Sequence, residues 1–91
     1  MNGMTRRRVV VHGRVQGVYF RGSTQERARE VGVNGWVRNR PDGTVEAVFE
    51  GSAEQVTKML DYCREGPSWA RVERVEEFDE TPEDLRGFGI R

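Results

Sequence analysis

Residues 33–50 read VNGWVRNRPDGTVEAVFE. Two runs rich in strand-forming residues flank Pro41-Asp42-Gly43, a triplet suited to a tight reversal, so the stretch reads as a β-hairpin. In the second run Val45, Ala47 and Phe49 alternate with Glu46, Val48 and Glu50, which gives one apolar and one mixed face. What lies on either side of the hairpin decides the architecture.

Upstream, Arg6–Gly13 reads as a strand from its Val9-Val10-Val11 run, apolar enough to be central in a sheet. From Phe20 the pattern changes: Phe20, Thr24, Ala28 and Val31 recur at helical spacing, and Gly32 stands where a C-cap glycine belongs. Downstream, Ser52-Ala53-Glu54-Gln55 is a capping box with Ser52 as N-cap. Val56, Met59, Leu60 and Cys63 then form an amphipathic stripe that Gly66 and Pro67 stop. Val72, Val75 and Phe78 are three apart and fit neither period, so Ala70–Asp79 is expected to be a strand with a bulge or bent start. After the loop TPEDLRG, Phe88 and Ile90 can form a short fifth edge strand. The order βαββαβ predicts an α+β fold, a ferredoxin-like α/β sandwich with a mainly antiparallel sheet and two helices on one face. At 91 residues the chain is expected to be one domain over residues 1–91.

Fifteen basic and fifteen acidic residues cancel, so there is no global pull toward nucleic acid or membrane, and any anion affinity must be local. Fourteen of the bases are Arg, a bias that genome composition or a heat-adapted surface explains. The Arg6–Arg8 run reads as a solvated strand start. One Cys and one His leave no disulfide and make a soft-ligand metal site improbable; the expectation is no metal, no cofactor and a reducing, cytoplasmic location. No run approaches the ~20 apolar residues of a membrane span, and MNGMTRRRVVVHGRV lacks the h-region of a signal peptide. His12 is expected to be structural or exposed, Cys63 to be core, and Trp36 and Trp69 to pack in the core or at an edge.

The junction GRVQGVYFR, residues 13–21, carries the chemistry. The first N–H groups of a helix lack intrahelical partners and that end is electropositive. A glycine-containing turn such as Val15-Gln16-Gly17-Val18 can curl several N–H groups into an anion nest. Arg21 is unfavourable there for the helix alone, but a bound phosphate reverses the conflict, because nest, dipole and guanidinium all favour one dianion. On the residues alone, a surface Arg21 reaching a neighbouring Glu is an equal reading. Asn39 is a poor strand residue inside WVRNR; its carboxamide can orient a water without ionising, and the alternative is that it lies near the Pro41 turn, where Asn is common.

GRVQGVYFR resembles the acylphosphatase signature G-x-V-Q-G-V-x-(F/Y)-R, and GWVRNRPDGTVEAVFEG resembles that family's second signature, G-(F/Y/W)-V-x-N-x-x-(D/N)-G-x-V-E. The resemblance extends over nearly the whole chain, through the GP that ends the second helix and the final FGIR. It implies that the backbone amides of Gln16, Gly17, Val18, Tyr19 and Phe20 cradle a phosphoryl group, that Arg21 binds its oxygens, and that Asn39 positions the attacking water. The implied substrate is a small-molecule acyl phosphate, with inorganic phosphate or sulfate as a site ligand. No nucleic-acid or membrane partner is implied, and a monomer is expected. The chemistry is feasible with so few groups, since an acyl phosphate expels a carboxylate whose conjugate acid has a pKa of roughly 4 and needs no general acid. The alternatives are a non-catalytic ferredoxin-like module that binds a phosphate-bearing partner, or one that binds RNA. The second is weakened by zero net charge and by the missing aromatics of RNA-binding strands.

Overall fold

Local pattern and observed element agree along the chain. The computed structural model describes residues 3–91; Met1 and Asn2, the start of the basic N-terminal stretch, lie outside it. In chain order the elements are β1 (Thr5–Arg14), α1 (Phe20–Val31), β2 (Asn34–Asn39), β3 (Val45–Gly51), α2 (Ala53–Glu65), β4 (Arg71–Glu80) and β5 (Phe88–Ile90). The sheet order is β4-β1-β3-β2-β5. β1 runs antiparallel to β3 and β4, β2 runs antiparallel to β3, and β5 joins β2 in parallel. This is the ferredoxin-like α+β arrangement, with the fifth edge strand in place.

Strand parity separates the two faces of the sheet. Val9 and Val11, Val37, and Val45, Ala47 and Phe49 turn toward the helices and meet Phe20, Ala28, Val56, Met59, Leu60 and Cys63 in one core. The capping box of α2 forms as its sequence demands: Ser52 Oγ accepts from Gln55 N–H at 3.1 Å, and Gln55 Oε1 accepts from Ser52 N–H at 2.9 Å. Gln55 Nε2 also donates to the Val31 carbonyl at 3.2 Å, tying the start of α2 to the end of α1.

The irregular spacing of β4 has a physical origin. His12 pairs with Arg74 but Gly13 with Val72, so Glu73 is an extra residue, a bulge near the strand's start. The bulge lets both Val72 and Val75 pack against the core. Phe78 lies on the opposite face, with the Arg8 guanidinium 4.3 Å from its ring centroid.

That opposite face corrects the reading of the Arg6–Arg8 run as solvated at Arg6 and Arg8, while Arg7, on the helix-facing side, is half-buried and pairs with Glu77 and Asp79. Arg6 is only 7% exposed and Glu50 is fully buried. Arg6 bonds Glu50 at 2.8 Å and Glu80 at 2.9 Å; Arg8 reaches Glu80 at 2.7 Å and Glu46 at 3.3 Å; Arg38 reaches Glu46 at 2.6 Å. Alternating charges on adjacent strands thus cover the mixed face of β3, and every residue of β3 is buried. The segment 81–87 leaves β4 at one sheet edge and reaches β5 at the other, and it is pinned on the way. Glu50 accepts from the backbone N–H groups of Glu83 at 2.7 Å and Leu85 at 2.8 Å.

Burial works against the charge on Glu50, but the Glu83 N–H, Arg6 and the Leu85 N–H outweigh it and hold its carboxyl below the usual range. Arg8 and then Arg6 lower Glu80 in the same way. A depressed folded-state pKa contributes stability that is present above the unfolded value, about 4.3 for Glu, and lost as pH falls through the folded value. Thermal unfolding followed from pH 7 to pH 3 should therefore show a steep loss below about pH 4. Glu50→Ala should cost about 3 kcal/mol in urea titrations at pH 7, because it removes the buried carboxylate partner of Arg6, leaving that guanidinium only Glu80 and the more distant Glu83, and strands two N–H groups.

Candidate active site

The loop between β1 and α1 is anchored at both flanks. Val15 and Val18 are buried, and Gln16 Nε2 donates to the carbonyls of Arg40 at 2.8 Å and Thr44 at 2.9 Å. Arg40 and Thr44 close the β2–β3 turn, with Arg40 N–H donating to Thr44 O at 2.9 Å. Gly17 has φ 75° and Tyr19 has φ 63°, so the chain visits the left-handed region twice within three residues. Glycine takes that conformation freely, whereas tyrosine takes it at a cost.

Tyr19 is the N-cap of α1 and gives no side-chain cap; the first turn contains no acidic residue. The first intrahelical bond is Ser23 N–H to Tyr19 O at 3.0 Å. Helix α2 in the same molecule has a complete capping box and Glu54 in its first turn. The N-terminus of α1 is thus left uncapped and electropositive, and Arg21 adds a full charge beside it. Arg21 is exposed and forms no ion pair with any described residue, so the alternative of a surface pair with Glu does not occur. The Tyr19 ring folds back over Gly22, where a Cβ would stand 2.2 Å from it. Its hydroxyl donates to Glu26 at 2.6 Å, and that bond raises the phenol's pKa.

Asn39 is the last residue of β2, opposite Val45 and on the same face as Val37, so it projects toward the helix layer. Its Oδ1 is buried and has no hydrogen-bond partner among the described residues. Gly17, Tyr19, Phe20, Arg21, Asn39 and Ile90 line one cleft of about 290 Å³. Of the residues expected from the two signatures, Gly17, Tyr19, Phe20, Arg21 and Asn39 line this cleft, whereas Gln16 and Val18 do not. Val18 and Phe20 are only 7% and 2% exposed, so they can offer a ligand little beyond backbone. The sequence reading missed three contributors: the Gln16 side chain as a tie to the hairpin, Gly22 as the seat of the Tyr19 ring, and Ile90 as a wall of the cleft. The FGIR ending was the signal for the last.

Other residues stand apart. His12 pairs with Glu76 at 2.7 Å on the opposite face of the sheet. Cys63 is fully buried in the core, and burial pushes its thiol up to about 12, far from a reactive thiolate at neutral pH. Trp69 departs from the expected packing role, being 82% exposed. Among the described residues no group of three His, Cys, Asp or Glu side chains is placed to hold a metal ion. None of the described helices is long and apolar enough to cross a membrane.

An uncapped helix start, a twice left-handed loop, a free guanidinium and a buried amide acceptor can together bind an anion and orient a neutral nucleophile. Known proteins resemble this chain in sequence and in fold. The acylphosphatase family profile matches residues 7–90. An acylphosphatase of Rubrobacter xylanophilus is 59% identical over 85 residues, covering 92% of this chain and 77% of that protein. One of Haloarcula marismortui is 55% identical over 87 residues, covering 96% of each. The solved structure of an acylphosphatase from Coxiella burnetii superposes with a TM-score of 0.93 at 37% identity, covering 99% of this chain and 94% of that one. With profile, sequence and fold in agreement over almost its full length, the chain belongs to the acylphosphatase family.

Proposed function

We propose that residues 16–20 and Arg21 bind the phosphoryl group of an acyl phosphate and that Asn39 holds the water that attacks it. The chain hydrolyses the carboxyl–phosphate bond of a small acyl phosphate to a carboxylate and inorganic phosphate, as its family membership indicates, and this favours hydrolysis over the binding-module alternatives. The observation that carries the site assignment is the convergence of Gly17, Arg21 and Asn39 on one cleft at the uncapped start of α1.

In this reading the loop amides, the helix N-terminus and the Arg21 fork share the phosphoryl oxygens. Phosphoryl transfer needs positioning and charge stabilisation more than covalent help from the protein. The water accepted by the buried Asn39 Oδ1 attacks phosphorus and forms the new P–O bond. The bond from phosphorus to the acyl oxygen breaks, and its electron pair leaves on the carboxylate. The proton of the water passes to a phosphoryl oxygen, so that substrate dianion and water give carboxylate and dihydrogen phosphate. We read the protein as one domain over residues 1–91 that works as a cytoplasmic monomer. The lone buried Cys63 suits a reducing compartment, and ion pairs close the sheet face opposite the helices.

Inorganic phosphate should inhibit competitively, and phosphate or sulfate should occupy the loop in crystals grown with either ion. Turnover should be unchanged by chelators. Phosphate inhibition that is non-competitive, or activity lost to EDTA and restored by a divalent ion, would contradict this mechanism.

A further inference from the structure

Three openings adjoin the proposed site, and the geometry of the reaction distinguishes them. The first is the cleft that contains Asn39 and Arg21. The second, about 430 Å³, lies against the same loop and is lined by Arg14, Gly17, Val18, Tyr19 and Trp69. The third, about 480 Å³, contains Asn39 again, with Trp36, Arg38, Glu46 and Arg91. The second opening shares Gly17 and Tyr19 with the cleft but not Asn39.

In a phosphoryl transfer the attacking and leaving oxygens lie roughly in line through phosphorus. If Asn39 holds the water, the acyl group must depart on the side of the loop away from Asn39. That requirement favours the groove of Arg14, Tyr19 and Trp69, whose lining shares Gly17 and Tyr19 with the cleft but not Asn39, over the opening beside Trp36, whose lining includes Asn39 itself.

The groove also has the right chemistry. Trp69 is 82% exposed and Tyr19 is 63% exposed, so two aromatic side chains stand largely in water beside the loop. Trp69 is presented by a turn in which Ala70 N–H donates to the Pro67 carbonyl at 2.9 Å. Tyr19 is held by its strained backbone and by Glu26. Planar groups stack on such faces. The charged residue in the lining is Arg14, whose guanidinium can meet the carboxylate as negative charge develops on it.

We propose that the Arg14–Tyr19–Trp69 groove is the acyl subsite and that it favours acyl phosphates with a planar, aromatic acyl group. The assignment rests on the phosphoryl site proposed above. The test compares kcat/KM for benzoyl phosphate and acetyl phosphate, together with inhibition by inorganic phosphate. Trp69→Ala should lower the benzoyl-to-acetyl ratio about tenfold, the scale of one aromatic stacking contact. Trp69→Phe should restore most of that ratio, and Trp36→Ala should keep it. The phosphate inhibition constant should hold in Trp69→Ala, because phosphate has no acyl arm. An unchanged ratio in Trp69→Ala, or a selective loss in Trp36→Ala instead, would overturn the subsite while leaving the phosphoryl site intact. Failure of phosphate to compete in the wild-type enzyme would remove the phosphoryl site and the subsite with it.

Discussion

Arg21→Lys is expected to lower kcat/KM by about 10³-fold, on the scale of losing an arginine that stabilises phosphoryl-transfer charge. A lysine keeps the charge but offers a compact ammonium in place of a planar fork, so it cannot grip two phosphoryl oxygens at once. Arg21→Ala should be at least as poor and should also weaken inhibition by phosphate. Neither change should harm the fold. Arg21 is exposed and has no ion pair among the described residues, and a cation in the first turn of a helix opposes the dipole. Thermal unfolding of both variants should match the parent or exceed it slightly. Turnover within a few-fold of wild type in either variant would take Arg21 out of the site. A large drop in melting temperature would make the arginine structural.

Asn39→Ala should divide the kinetic parameters differently. A residue that orients water and barely touches phosphate contributes to kcat, so kcat should fall by about 10²-fold or more, as when one well-placed catalytic hydrogen-bonding group is deleted. KM and phosphate inhibition should change little. Asn39 Oδ1 is buried without a partner among the described residues, a condition that costs stability, so removing the carboxamide should leave unfolding within about 1 kcal/mol of the parent. Kinetics and urea unfolding on the same preparation separate the two roles. An active but markedly less stable variant would make Asn39 a turn residue only.

The parts of this molecule that were legible in its sequence depend on contacts close in the chain. The hairpin at Pro41-Asp42-Gly43, the capping box at Ser52 and the stripe through Met59 and Cys63 are each dictated within a few residues. The two signatures pointed to Arg21 and Asn39 before their convergence was visible. What was hidden depends on which strands become neighbours. Arg6 looked solvated because nothing local reveals that β1 lies between Glu50 of β3 and Glu80 of β4. Trp69 looked like packing because aromatic residues usually pack, and only the turn after α2 shows that it does not. The left-handed Tyr19 was beyond any propensity argument, since the loop anchors hold it there.

The Gln16 side chain bridges positions 24 and 28 residues away, from the loop before α1 to the far side of the β2–β3 turn. The cleft it braces also takes Ile90 from the end of the chain. No short fragment holds all of these pieces, and each long-range closure must be made before its contacts return any stabilisation. Catalytic competence is therefore expected to emerge late as this polypeptide folds. Regain of turnover during refolding is expected to coincide with docking of β2 and β5, which stopped-flow assays of activity beside backbone and fluorescence signals would check.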